Sequence, residues 1–274
     1  MTTLRHSPGM AGFTLIEAIM VIVITAVLGA LVVSFVNPLK GYFDATRRAD
    51  LGDVADTTLR RMARELHTAL PNSVRVNGNF VEFLPTLSGG RYRAVQDCSA
   101  ACTGDALIFT GPDTGFDVIG ALSVAPVVGN EVVVYNLGIA GDDVYAGDNV
   151  ASIAPGSTTG NVKFASKQFP FESPSNRFQI IGGPVTYACD VTTFWRYSGY
   201  ARQPGQPTSI STLDGLAGVT KSRLATGVDC ALSNITYTSG VTQRSGLIAM
   251  RLKMTNASGE SVILQHQVHV DNVP

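Results

Sequence analysis

One continuous apolar run near the amino terminus is the strongest constraint on how this chain can fold. From Phe13 to Val36 the sequence consists almost entirely of Ile, Val, Leu, Ala, Met and Phe. A helix rises about 1.5 Å per residue, so about 20 apolar residues are enough to cross the hydrocarbon core of a bilayer. The run therefore predicts a membrane-spanning helix, with most of the chain following it.

A carboxylate, Glu17, lies close to the beginning of this run. Placing a charged side chain inside hydrocarbon costs at least about 2.5 kcal/mol on insertion scales. An intramembrane acid is therefore a candidate functional group that needs a partner of opposite charge. The alternative interpretation, which the sequence leaves open, places Glu17 at the level of the lipid headgroups.

The residues around this carboxylate form a specific motif. The segment from Gly12 to Glu17, preceded by MTTLRHSPGMAG, resembles the prepilin processing and N-methylation motif of type IV pilins and type II secretion pseudopilins. The resemblance implies that a prepilin peptidase cuts after Gly12 and methylates the new amine of Phe13, which makes residues 1–12 a cytoplasmic leader peptide. It also implies that Glu17 meets the Phe13 amine of a neighbouring subunit during filament assembly.

Two general rules bear on this interpretation. A secretory signal peptide would be cleaved after the apolar run, but no A-x-A-like site is apparent there. The positive-inside rule disagrees with a cytoplasmic leader, because three basic residues, Lys40, Arg47 and Arg48, follow the run. The leader itself carries only Arg5 and His6. The motif is the more specific of these signals and implies a cytoplasmic leader, while the conflict with the positive-inside rule stays open.

The sequence after the apolar run predicts an amphipathic helix and then a β-rich head. Pro38 has no amide proton and its ring crowds the preceding turn, so we expect the helix to kink near it. Apolar residues then recur at spacings of three and four as far as Leu70, and Pro71 is expected to end the helix. The predicted segments are a transmembrane or filament-core helix over 13–37, an amphipathic helix over 38–71 and a periplasmic globular head over 72–274.

Short β-like runs separated by turn residues fill the head. The predicted strands begin at Phe80, Ala106, Glu131, Arg177, Val185 and Thr192. Residues 247–270 alternate between apolar and polar side chains on either side of NASGE, which predicts an antiparallel hairpin. The fold class is therefore α+β, with a long N-terminal helix packed on an antiparallel β-sheet. This order of parts is similar to that of the pilin fold.

Four longer stretches of the sequence resemble one subgroup of this superfamily. RRADLGDVADTTLRRMARELHTALPNSVRV, SGGRYRA, FWRYSGY and RSGLIAMRLKMTNASGESVILQHQVHVDNVP are similar to minor pilins of the MshO type, which are associated with the mannose-sensitive haemagglutinin (MSHA) pilus. The resemblance implies a non-enzymatic subunit that is anchored in the bacterial inner membrane and later enters a pilus. Its implied partners are the prepilin peptidase and other major and minor pilins, contacted through the N-terminal helix.

Three alternatives stay open. Within the superfamily, the chain could be a minor pseudopilin of a type II secretion system. Outside it, the chain could be a membrane-tethered periplasmic enzyme, although no clustered acid, base or nucleophile set is apparent. It could also be a tip adhesin, because Trp195 lies among aromatic residues that could stack on a sugar. We expect no cofactor.

The charge pattern does not predict nucleic-acid binding. The net charge is −1, which provides no general attraction to a polyanion. Arg60, Arg61 and Arg64 are clustered, but acidic residues accompany them and no aromatic residues interleave with them as a base-stacking platform would require. They are expected to form a solvated helix face.

Four cysteines occur in a chain whose bulk is expected to be exported, where disulfides can form. Three pairings are possible, and the most economical one joins Cys98 to Cys102 and Cys189 to Cys230. A zinc site is the alternative, but no second C-x-x-C or suitably spaced histidine pair accompanies the C-x3-C.

An acidic loop offers a candidate calcium site. Asp142, Asp143 and Asp148 are hard oxygen ligands of the kind that calcium takes, although their spacing does not match an EF-hand. A surface turn rich in Asp and Gly is the simpler interpretation.

Overall fold

The computed structural model describes residues 12–99, 101–239 and 245–274. The chain divides into two compact units, one ending at Asp50 and one running from Leu51 to Pro274. A long helix, α1 (Leu15–Leu66), contributes residues to both units. The second unit, called the head below, is built mainly from antiparallel strands, so the predicted α+β class is confirmed.

Helix α1 differs from its prediction in two respects. Residues 35–40 are helical, so Pro38 does not break the helix, and the kink expected near it stays a prediction. Proline removes one backbone hydrogen bond, and the bonds on either side keep the turn helical. The helix also ends at Leu66 rather than at residue 71. Beyond Leu66 the backbone amides find partners outside the helix, and the Leu70 amide donates to the Leu84 carbonyl at 2.7 Å.

Fourteen strands and one short helix follow α1 in the described residues. They are β1 (Arg75–Asn77), β2 (Phe80–Phe83), β3 (Thr86–Tyr92), β4 (Asp113–Ile119), β5 (Glu131–Val133), β6 (Val150–Ser152), β7 (Asn161–Lys167), β8 (Arg177–Ile181), β9 (Val185–Asp190), β10 (Thr193–Ser198), α2 (Ile210–Asp214), β11 (Thr220–Thr226), β12 (Asn234–Thr238), β13 (Ser245–Thr255) and β14 (Ser261–Asp271). Three sheets result, with strand orders β1-β2-β9-β10-β11, β12-β13-β14 and β6-β5-β8-β3-β4-β7.

Most predicted strands are present, as β2, β5, β8, β9 and β10, and the predicted C-terminal hairpin is β13–β14. The strand predicted from Ala106 is wrong. There the Leu107 amide donates to the Arg93 carbonyl at 2.9 Å, and the Ile108 amide donates to the Asp113 carboxylate at 2.8 Å. Because the Asp113 side chain binds an amide that a neighbouring strand would otherwise bind, the segment forms no strand.

The apolar face of α1 within the head packs on two of the sheets. Buried helix residues at spacings of three and four, including Ala55, Leu59 and Met62, belong to one core cluster with the inner faces of β9 and β13. A second cluster fills the six-stranded sheet, where the rings of Phe116 and Phe178 are 4.8 Å apart. The apolar spacing thus predicted the buried face of the helix correctly.

Candidate functional site

The first unit presents a fully exposed apolar helix. Leu15–Ser34 spans 20 residues with a mean hydropathy of 2.7, and none of it is buried. In the part of the chain that the structure describes, it is the one helix whose length and composition suffice to cross a membrane. Exposure of so much contiguous apolar surface to water is unfavourable, so this helix needs lipid or other helices around it.

The hydroxyl groups on this helix are already satisfied by its own backbone. The Thr25 hydroxyl donates to the carbonyl of Val21 at 2.7 Å, and the Ser34 hydroxyl donates to the carbonyl of Ala30 at 3.0 Å. These bonds let both residues enter hydrocarbon at low cost. Glu17 remains as the single ionisable side chain between Leu15 and Ser34.

Thr14 caps the start of the helix. The Glu17 amide donates to the Thr14 carbonyl at 3.1 Å and to the Thr14 hydroxyl oxygen at 3.4 Å. Threonine followed three residues later by glutamate is the spacing of a capping box, a signal that our sequence interpretation missed. Glu17 therefore lies in the first helical turn, where a negative charge also favours the helix dipole.

The two residues of the proposed cleavage site precede this cap. Gly12 and Phe13 are both exposed, and the Phe13 side chain is 78% accessible. A β-carbon placed on Gly12 would meet nothing within 4 Å. Residues 1–11 of the predicted leader lie outside the described residues. Packing among the residues that the structure describes therefore does not demand glycine at position 12.

Both disulfides are present in the pairing that the sequence favours, Cys98–Cys102 and Cys189–Cys230. The first closes an exposed loop whose ends, Asp97 and Thr103, exchange backbone hydrogen bonds of 3.0 and 2.8 Å. The second is buried and links β9 to the segment before β12 across a Cα–Cα distance of 5.6 Å. All four thiols are used in these bonds, which removes the zinc alternative.

The acidic loop uses its polar side chains to hold its own backbone. Asp142 is fully buried and accepts a 2.7 Å hydrogen bond from the Asn149 amide, which also donates to the Asn136 side chain at 3.1 Å. Asn136 in turn donates to the Pro71 carbonyl at 2.7 Å. Burial raises the pKa of the Asp142 carboxyl, because the charged form is poorly solvated there.

The other two calcium candidates have separate partners. Asp143 accepts from the Tyr145 amide at 2.9 Å, and Asp148 accepts from the Asp143 amide at 3.2 Å. No group of three or more His, Cys, Asp or Glu side chains suited to a metal ion occurs among the residues that the structure describes. The turn accounts for Asp143 and Asp148, whereas one carboxylate oxygen of Asp142 is buried without a hydrogen-bond partner.

Two of the three clustered arginines of α1 pair with acidic neighbours on the same helix. Arg60 contacts Asp56 at 2.6 Å and Arg61 contacts Glu65 at 3.3 Å, each one turn apart. Glu65 also binds Arg196 of β10 at 2.8 Å. This pattern is that of a solvated helix face tied to the sheet beside it.

Trp195, the candidate sugar platform, is packed rather than free. It joins the cluster that α2 covers, together with Leu213 and Tyr197, and its indole nitrogen is buried. The ammonium of Lys221 lies 4.5 Å from the centre of its ring. The ring is therefore half-buried, with the Lys221 ammonium over it.

A buried ion pair in the head was not foreseen from the sequence. Glu82 of β2 is completely buried and bonds to Arg75 of β1 at 2.8 Å, while the Tyr200 hydroxyl donates to its other oxygen at 3.1 Å. Burial raises the pKa of the Glu82 carboxyl, and Arg75 opposes that rise. The signal was available, since Arg75 and Glu82 face each other across a hairpin that turns at Gly78, where φ is +56°.

Comparison with known proteins adds no further assignment. Family models, curated proteins and solved structures contain no match to this chain. Function must therefore be argued from the N-terminal helix, its cap and its single carboxylate.

Proposed function

We propose that this protein is a minor pilin-like structural subunit. It is held in the bacterial inner membrane by its N-terminal helix, with the head in the periplasm, and is then incorporated into a type IV pilus of the MSHA kind. There it contributes to pilus assembly or to the tip. The observation that carries the proposal is Glu17, the one ionisable group of a fully exposed 20-residue apolar helix, five residues after the glycine of the processing motif.

One helix can serve both as a membrane anchor and as part of a filament core. The same apolar surface that suits a bilayer also suits a bundle of identical or related helices in a filament core. In either setting the Glu17 carboxylate needs a countercharge, since an unpaired charge in an apolar core is costly. Cleavage after Gly12 would create an ammonium group at Phe13, and the amine of a neighbouring subunit would supply that countercharge.

Processing is the first test. Mass spectrometry of the mature protein is expected to find Phe13 at the amino terminus. Replacing Gly12 by a larger residue should leave the leader attached, because the peptidase of the resembled family requires a small residue at the cut. A wild-type terminus at any other residue would refute the processing assignment.

Filament entry is the second test, and the cap of α1 supplies a matched control. Glu17→Gln removes the charge but keeps a side chain that suits a capping box. We expect insertion in the inner membrane to persist and incorporation into sheared filaments to fail, because a neighbour's ammonium left unpaired costs about 3–5 kcal/mol. Thr14→Val removes the capping hydroxyl and keeps the charge, so this control should still assemble. Normal incorporation of Glu17→Gln would show that pairing is not the role of Glu17.

The machine itself is identified by its other subunits. Cross-linking followed by affinity purification of the full chain is expected to recover pilins of a type IV pilus. Recovery of secretion-system pseudopilins instead would favour the type II alternative while leaving the anchoring mechanism intact.

A further inference from the structure

The outer strands of the three sheets differ in how they are protected against pairing with another chain. Strands β1 and β6 have only three residues each, and β12 has five and comes close to β1. Strands β7 and β11 carry lysines, and their registers with β4 and β10 are irregular. Short length, lysine and irregular register are the usual means by which exposed edges are blocked.

Strand β14 has none of these protections. It spans 11 residues and pairs with β13 in an unbroken register from Asp271 opposite Ser245 to Ser261 opposite Thr255. It contains no proline, glycine, lysine, arginine or glutamate, and its one aspartate, Asp271, is its last residue. Within the described residues β13 is its single strand neighbour, so a long row of backbone donors and acceptors faces outward. Such an edge is suited to strand addition from another chain.

We propose that this edge binds a second copy of the same chain. The two β14 strands pair antiparallel about a local two-fold axis at His266 and join two three-stranded sheets into one sheet of six strands. The other sheet edges that the structure describes are short, charged or irregular, so a copy of this chain has one suitable strand to offer. Pairing a strand with itself closes the assembly as a dimer rather than extending it.

The side chains of β14 are complementary to themselves in this register. On the helix-facing side His266 lies opposite its own copy, and the flanking pairs, Val262 with Val270 and Leu264 with Val268, are apolar. Val262 and Leu264 are only half-buried in the single chain, and the added strand covers them. On the outer side Gln265 lies opposite Gln267, and no like charges face each other. A shift by one residue would exchange the two faces, so the alternation excludes odd shifts, and the register centred on His266 is part of the proposal.

The first experiment measures the oligomeric state of the full chain in detergent by analytical ultracentrifugation. The wild type is expected to be a dimer. The double variant Gln265→Lys with Gln267→Lys sets lysine opposite lysine at the centre of the contact and should sediment as a monomer. The matched control, Thr220→Lys with Thr226→Lys, adds the same charge to exposed positions of β11 and should remain a dimer.

The second experiment locates the two-fold axis by cysteine cross-linking under mild oxidation. His266→Cys places a thiol opposite its own copy, with β-carbons about 4.5–5.5 Å apart, close enough for an intermolecular disulfide after a small adjustment. His269→Cys lies opposite Ile263 in this register and should not cross-link to itself.

Three results would overturn the proposal. One is a wild type that stays monomeric at its highest soluble concentration. Another is a dimer that survives both β14 lysines, with no cross-link through position 266, which would assign association to another surface such as the N-terminal helix. The third is a monomeric wild type that captures an extended peptide of unrelated sequence on β14, which would make the occupant a different protein.

Discussion

Removing Arg75 should destabilise the head strongly, because Glu82 would then be a buried carboxylate without its countercharge. The Arg75 guanidinium bonds to Glu82, donates to the carbonyls of Gln203 and Pro204 at 2.8 Å each, and lies 3.5 Å from the centre of the Tyr145 ring. Arg75→Met keeps much of the aliphatic volume and deletes every one of these donors.

The expected loss follows from the burial of the partner. Glu82 has no exposed surface, and leaving one member of a buried pair uncompensated costs about 3–5 kcal/mol. For a domain of about 150–250 residues each kcal/mol lowers Tm by about 2–4 °C, so Tm should fall by about 6–20 °C. Arg223→Met, on an exposed position of β11, is the matched control and should change stability by less than about 0.5 kcal/mol.

The destabilisation caused by Arg75→Met should depend on pH. Burial already holds the pKa of Glu82 above its usual value, and Arg75 is what limits that rise. Without Arg75 the pKa rises further. A carboxyl whose pKa is raised by folding favours the folded state only while it is protonated. The free energy of unfolding therefore falls as pH rises from the pKa of the unfolded chain, about 4.3, through the pKa of the folded protein. The deficit of Arg75→Met should therefore be larger at about pH 8 than at about pH 5.

The assay is urea unfolding of the full chain in detergent, followed by the fluorescence of Trp195, the single tryptophan. Adding Glu82→Gln to the Arg75→Met variant removes the unpaired charge and should recover most of the lost free energy of unfolding. A loss below about 1 kcal/mol in Arg75→Met, or a double variant as unstable as the single one, would refute the reasoning, because the cost would then not come from the buried charge.

Two further predictions concern the loop and the buried disulfide. One carboxylate oxygen of Asp142 and the side-chain oxygen of Asn149 are both buried without a donor. Asp142→Asn replaces one of these acceptors by an N–H donor, so it should stabilise the head by about 1 kcal/mol at neutral pH. Because the pKa of Asp142 is raised, the stability of the wild type should fall as pH rises through that pKa. Asp142→Asn should lose this pH dependence, whereas Asp143→Asn should keep it. Equal pH profiles for all three proteins would contradict the assignment. Replacing Cys189 and Cys230 by alanine opens a link across 41 residues and should cost about 4 kcal/mol in urea unfolding. Thiol labelling of the unreduced wild type should find no free cysteine, and labelling of these two would contradict the pairing.

The sequence by itself determined those features that depend on a repeating local pattern. The length of the apolar run is enough to predict the exposed helix of the first unit, because helix rise and bilayer thickness are fixed quantities. Spacings of three and four identified Leu59 and Met62 as core residues, and strict alternation identified Ile248 and Met250 on the inner face of β13. A period of 3.6 or 2 is visible in any short window of sequence.

Only the tertiary structure decided how distant segments satisfy one another. Nothing near Asp142 in the sequence indicates that Asn136 ties its loop to Pro71, the residue expected to end the helix. The failed strand at Ala106 has the same cause, since the Asp113 side chain takes the backbone amide that a neighbouring strand would have bound. Likewise, the alternating pattern of β14 predicted a strand but not that the strand would lie at an edge. Strand order depends on long-range pairing, and the periodicity of a single segment carries no information about which neighbour it will meet.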